Sequence, residues 1–348
     1  MRDGQRLEEY YRDRRVLVTG GLGFIGSNLV RRLVSLGSRV TVIDACFPDQ
    51  GANLFNLEDV LEEVTLLVAD IGATREVTEC LPAQELVFNL AACVSHVGSL
   101  HHPLRDLKRN CLSQLRFLCL LAELNPGISV IYTGSRSQYG SPLYLPVDED
   151  HPLRPVDING IHKTAVEEYH RVLHDQGRIR YLSLRLTNVF GPRHQMMHDG
   201  QGFLNWFIRL GLQGKEIRVF GDGTQARDFL YVEDAVEALL LAAADPECRG
   251  TALNLASGKS ITVAEAAQAV SEEAGTDWSL TPYPPERARV EPGDVVLDIS
   301  RLRAILDWEP RWDFRAGLQE TIAFYRMYGE HYFSPAKIKS SLTRKRPI

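Results

Sequence analysis

The stretch R-V-L-V-T-G-G-L-G-F-I-G-S-N-L at 15–29 constrains the fold of this chain more than any other feature. An apolar run of strand character ends directly in spaced glycines, and a helical pattern opens on the last of them. Three glycines alone are weak evidence, but between a strand and a helix each has a mechanical role. Gly20 permits the tight turn, Gly23 lets the backbone approach a pyrophosphate, and Gly26 lets the helix pack on the strand. The N–H groups and partial positive charge of the helix start then face the phosphates. The second strand ends at Asp44, eighteen residues past Gly26. A carboxylate there accepts from an adenosine ribose 2′-OH and repels a 2′-phosphate, so NAD is expected rather than NADP. Read as a bare turn followed by an ordinary loop aspartate, the coincidence has no explanation.

Short apolar runs alternate with helical patterns from Arg15 to Arg185. The runs fall at 15–19, 39–44, 64–70, 86–90, 128–133 and 179–185, with amphipathic segments between them, notably 100–124 and 161–174. Such alternation, with strands apolar throughout, implies a parallel sheet covered on both faces. The expected fold class is α/β: a Rossmann doubly wound parallel sheet with a smaller C-terminal α/β lobe. The dinucleotide domain spans 1–185, with elements returning near 228–256. The second lobe takes most of 186–330, and a basic tail follows at 331–348. In the second half, helices are expected near 203–213, 232–244, 262–274 and 315–328, and strands near 217–223 and 252–256. Phe24 and Ile25 in the glycine loop should lie along the cofactor. So should Asp70 and Ile71 after the third strand, and Leu90, Ala91 and Ala92 after the fourth.

Composition narrows the partners. A net charge of −6 argues against nucleic acid, and the cluster Lys337, Lys339, Arg344, Lys345 and Arg346 reads as a solvated terminus. Residues 1–15 are rich in charge and hold no apolar run, so no secretory leader is expected there. No segment reaches the roughly 18–20 apolar residues of a membrane helix. The six cysteines form no C-x-x-C pair and the ten histidines show no metal spacing. Free thiols in a reducing cytoplasm, and no metal site, are the expectation.

Several motifs together resemble the extended short-chain dehydrogenase/reductase family, and within it the sugar-nucleotide epimerases and dehydratases. They are T-G-G-L-G-F-I-G at 19–26, T-G-S-R-S-Q-Y-G at 133–140, L-R-L-T-N-V-F-G-P-R at 184–193, V-F-G-D-G-T-Q-A-R-D-F-L-Y-V-E-D at 219–234 and L-D-W-E-P at 306–310. The resemblance runs from Arg15 to Tyr328. It implies tightly held NAD, a nucleotide-diphosphate sugar as substrate, and oxidation of a sugar hydroxyl, usually at C4. It also implies a Tyr general base, a Lys four residues later on the nicotinamide ribose, and a Ser or Thr on the reacting oxygen.

The chain departs from that pattern at its main residue. In P-V-D-I-N-G-I-H-K-T-A-V-E-E-Y-H (155–170) Lys163 is present, but the Tyr position is Asn159. No other Tyr stands four residues before a Lys, and an amide has no usable acid–base chemistry. Three readings stay open: a redox enzyme whose proton is moved by another group, a binder of NAD and sugar nucleotide without turnover, or a non-redox reaction assisted by NAD. The candidates for moving the proton are Ser135, His96, His162 or the substrate itself. Asn159 either hydrogen-bonds the sugar hydroxyl or merely serves the helix start.

The resemblance also assigns a substrate side. Arg227 and Arg289 match diphosphate-binding arginines, with Arg218 nearby, and a guanidinium fork suits phosphate oxygens. An ion pair of Arg227 with Asp228 or Glu233 is the plainer alternative. Asn188 matches a substrate contact, and 201–207 with Val219 and Phe220 should surround the base. Related dehydratases carry Asp-Glu after the catalytic Thr. Here Arg136 and Ser137 follow Ser135, which favours epimerisation, and Arg136 suits a substrate carboxylate. A homodimer through helices 100–124 and 161–174 is the family expectation.

Overall fold

The computed structural model describes residues 2–47, 50–72, 75–288 and 291–334. Arg289 and the five basic residues expected in the tail lie outside them. Strands β1 Arg15–Thr19, β2 Arg39–Asp44, β3 Val64–Val68, β4 Leu86–Asn89, β5 Ser129–Ser135 and β6 Arg180–Leu186 follow the expected alternation. Then come β7 Asn188–Phe190, β8 Ile217–Phe220, β9 Ala226–Tyr231, β10 Ala252–Leu255, β11 Ser260–Thr262 and β12 Trp278–Thr281. Seven strands form one sheet in the order β10-β6-β5-β4-β1-β2-β3, all pairs parallel. The strand order reverses between β1 and β4, which opens a crevice at their carboxyl ends.

Both faces of the sheet are covered, as continuously apolar strands require. One face carries the helices Phe24–Ser35 and Val232–Ala244, whose Leu29, Leu33, Leu239 and Leu240 pack with Val18, Val42 and Leu184. The other carries Ser113–Leu124, with Phe117, Leu118 and Leu121 on Leu17, Val87 and Val130. The returning elements are therefore the 232–244 helix and β10. A second core joins Phe190, Phe207, Phe229, Tyr231, Leu318, Ile322 and Tyr325 in the C-terminal lobe. No described helix is long and apolar enough to cross a membrane.

One expected helix is two, broken at His102, and the second contains a π turn. In place of a single segment over 100–124 the chain forms His96–His101, Pro103–Leu107, a π-helical Lys108–Leu112, and Ser113–Leu124. Pro103 has no N–H for the ladder and can sit only in a first turn, so the helix restarts there. The π turn presents Asn110, whose amide accepts from the Cys93 N–H at 2.8 Å and donates to its carbonyl at 2.9 Å. The later helix begins at Ile158, three residues before its expected start, because Asp157 caps it by accepting from Gly160 N–H.

Candidate active site

The glycine loop leaves no room for side chains. Gly20 has φ +71°, a left-handed conformation suited to glycine. A Cβ on Gly26 would lie 2.2 Å from the Gly20 carbonyl oxygen, and one on Gly20 would press on Ala91 at 3.1 Å. The 24–35 helix starts at Gly23 with no side-chain cap and no acid in its first turn, so its leading N–H groups are free for an anion. Asp44 is buried, and burial raises its carboxyl from the ordinary value. It accepts from Cys46 N–H at 2.9 Å and Leu22 N–H at 3.1 Å, which ties the end of β2 to the loop. Each carboxylate oxygen keeps a lone pair for a ribose hydroxyl. Thr19 Oγ1 donates to Asn89 and accepts from Leu90 and Ala91 N–H, so the ends of β1 and β4 are fixed together.

One cleft runs over these strand ends. Gly20, Gly23, Phe24, Ile25, Gly26, Asp44, Asp70, Ile71, Leu90, Ala91 and Ala92 line it, and so do Ser135, Arg136, Lys163, Asn188 and His96. Arg109, whose guanidinium lies 3.8 Å over the Phe47 ring, belongs to the same lining and was not foreseen.

At the end of β5, Ser135 Oγ accepts from Ser137 N–H at 3.1 Å and lies 2.9 Å from Ser137 Oγ. With the Ser137 hydroxyl donating, the Ser135 O–H is free to donate outward. Lys163 Nζ donates to the Thr133 carbonyl at 2.9 Å, and burial pushes its pKa down to about 8. Asn188 Nδ2 donates to Asp228 O, while its Oδ1 accepts from Arg136 at 3.2 and 3.3 Å. Arg136 has no carboxylate partner within ion-pair distance among the described residues. Burial, with Arg227 adding to it, brings its pKa to about 10.

Other expected residues go elsewhere. Asn159 is 3% exposed and is not part of the cleft lining. Its amide donates to Cys93 O at 2.8 Å, so it orders the loop after β4 rather than facing a sugar hydroxyl. His162 is held by Asp106 at 2.6 Å, away from the cleft. Arg227 is buried and bound to Glu291 and to Gly293 O, in place of the Asp228 or Glu233 partner considered from sequence. It is outside the lining in this arrangement. Arg218 is exposed and pairs with Glu216 at 3.3 Å. Val219 is core, whereas Gln201 reaches the cleft. Sequence reasoning missed Asp157, which accepts from His96 Nδ1 at 2.6 Å across 61 positions of chain.

Residues 16–256, well over half of the chain, match the NAD dependent epimerase/dehydratase family. The chain belongs to that family. It is 31% identical to the UDP-glucose 4-epimerase of Mycolicibacterium smegmatis over 315 residues, 90% of this chain and 98% of the relative. Its structure is similar to the UDP-N-acetylglucosamine 4-epimerase of Methanobrevibacter ruminantium M1 in complex with UDP-N-acetylmuramic acid. The TM-score there is 0.83 at 30% identity, covering 91% of this chain and 99% of the other. It is also similar to MoeE5 in complex with UDP-glucuronic acid and NAD, with TM-score 0.78 and 27% identity over 90% of this chain and 99% of that one. NAD is the family's cofactor, and the cleft fits it. The uncapped helix start and Gly23 suit a pyrophosphate, Asp44 suits an unphosphorylated ribose, and Lys163 suits the second ribose.

Proposed function

We propose that this chain is an NAD-dependent epimerase of a nucleotide-diphosphate sugar, working through a 4-keto intermediate. The observation that carries the reading is that one cleft gathers the glycine loop, Asp44, the Ser135 hydroxyl and Lys163. The epimerases among its relatives support the same class. When bound, NAD would supply a reversible hydride acceptor for the sugar carbon. Ser135 donates its free hydrogen to the reacting oxygen, and Lys163, braced by Thr133, holds the ribose hydroxyls. Arg136 and Ser137 offer no carboxylate pair to expel water, which favours epimerisation over dehydration.

Incubation with UDP-, dTDP-, GDP- and CDP-sugars, followed by NMR, is expected to give new sugar signals. Binding without new signals from any of them would instead support an idle binder, the reading that the internal engagement of Asn159 favours. Lys163→Ala is expected to lower product formation at least about 100-fold and to weaken NAD binding. Unchanged turnover would contradict the assignment.

Arg136 further supports a sugar that carries a carboxylate. It is a cleft-lining guanidinium with no ion partner among the described residues, and two similar structures hold UDP-N-acetylmuramic and UDP-glucuronic acids. A charge-assisted bond of about 1.5–3 kcal/mol predicts that Arg136→Gln raises KM for UDP-glucuronic acid about 10- to 100-fold. KM for UDP-glucose should stay within about twofold, and equal losses for both sugars would count against the assignment.

The proposal extends to a homodimer in a reducing compartment. Exposed Leu104, Leu107, Leu112, Leu115 and Ile161 support pairing through these helices, and the six free cysteines support the compartment. Sedimentation is expected to give twice the chain mass.

A further inference from the structure

We propose that His96 carries the substrate proton that the absent Tyr would carry, with Asp157 as its positioning residue. The inference rests on the epimerase reading above and names the acid–base group of that same cleft.

Two contacts dock His96 and its helix on the start of the helix that carries position 159, and a third sets that start against the Ser135 turn. Asp157 caps the 158–175 helix two residues before Asn159, with one oxygen on Gly160 N–H at 2.8 Å and the other on His96 Nδ1 at 2.6 Å. Ser99, on the helix that His96 begins, accepts from the Asn159 N–H at 3.2 Å, so that helix is docked on position 159 itself. Gly160 abuts the Ser135–Ser137 turn so closely that a Cβ there would lie 2.9 Å from Ser137 O. His96 is thus pinned by the first turn of the helix that carries Lys163, against the turn that carries Ser135.

The chemistry of the pair is that of an oriented base. Asp157 is buried, which by itself raises its carboxyl. The hydrogen bond from His96 and the helix N–H groups outweigh burial and hold it below the ordinary value. An ionised carboxylate only accepts, so His96 Nδ1 bears the hydrogen and Nε2 is left as the acceptor. Nε2 has no protein partner among the described residues, and the side chain is about half exposed in the cleft.

The other cleft groups are less suited. Asp44 and Asp70 sit at the ends of β2 and β3. Cys93 is pushed up by burial, and His194 is pushed down to about 4 by burial. Lys163 donates to Thr133 and keeps its other N–H groups for the ribose. With NAD bound, His96 Nε2 would accept the sugar O–H proton, and the cofactor would supply the acceptor for the C–H hydrogen as hydride. Once the ketone has turned its other face, His96 would return the proton and the reduced cofactor would supply the hydride, so the balance closes without another reactant.

Two measurements decide the proposal. His96→Gln should lower kcat at least about 100-fold, leave NAD affinity and sugar-nucleotide Kd within about twofold, and fold as the parent does. In His96→Ala, added imidazole should restore part of the turnover. Asp157→Asn keeps the helix cap but presents a donor to Nδ1. The 15N NMR signals of His96 should therefore switch from the Nδ1–H to the Nε2–H tautomer, without and with NAD. Parental turnover in His96→Gln, or an unchanged tautomer in Asp157→Asn, would overturn it. Failure of the parent protein to convert any sugar nucleotide would count against the epimerase reading instead, and the tautomer would still decide the pair.

Discussion

Gly26→Ala is expected to weaken NAD binding by about 10- to 100-fold. The added Cβ would lie 2.2 Å from the Gly20 oxygen and 2.9 Å from Gly21 Cα, and both are backbone atoms of the turn itself. No rotamer relieves such a contact, so the 24–35 helix must move off β1. Overpacking of this kind costs about 1–3 kcal/mol. The same displacement carries the helix N–H groups away from the pyrophosphate, and about 1.4 kcal/mol is tenfold in affinity. Calorimetric titration with NAD measures the loss. Gly4→Ala is the control, because a Cβ there meets nothing within 4 Å. It should bind NAD as the parent does, and an equal loss in both variants would contradict the role given to Gly26.

Arg185→Met should cost about 3–5 kcal/mol of stability near neutral pH. Arg185 and Glu167 are both buried and form a close pair that joins β6 to the 158–175 helix. Ser183 Oγ bonds Glu167 at 2.6 Å, and Tyr139 OH accepts from Arg185 at 2.9 Å. Burial alone raises the Glu167 carboxyl, but the bonds from Arg185 win and hold it below the ordinary value. A depressed carboxylate stabilises the fold above its unfolded pKa and loses that contribution as pH falls through the folded one. In Arg185→Met the sign reverses, because a buried carboxylate without its partner prefers the proton. The deficit, read from urea unfolding, should therefore shrink as pH is lowered from 7 towards 5. A deficit that grows over this range would contradict the pair's role. The helix concerned carries Lys163, so the packing that orients the site and the packing that holds the domain are the same.

The sheet is legible in the sequence because its strands are apolar on both faces and punctuated by Gly and Asp. β1 and β2 fall at their expected bounds. The strands of the second lobe are less so. β7 and β11 are three residues each and pair only with β9, so their partners are far away in sequence and leave no local period. The first helix, Arg2–Tyr11, hides behind its charges although Leu7 and Tyr11 are fully buried.

The candidate site divides in the same way. The glycine loop, Asp44, Ser135 and Lys163 can be read locally, since each sits at a strand or helix end with a fixed spacing. The pairings cannot. Asp157 reaches His96, Glu291 occupies Arg227, and Cys93 takes up the Asn159 amide only when distant segments meet. A residue type announces what chemistry is available, whereas its partner decides whether that chemistry faces the cleft.

A nucleotide sugar carrying deuterium at C4 tests the central claim most directly, with the product examined by NMR in ordinary water. If this chain oxidises and re-reduces one carbon with its own bound NAD, the 4-epimer forms and keeps the deuterium at C4. A 4-epimer with the label lost to solvent or moved to another carbon, or no epimer at all, would contradict it.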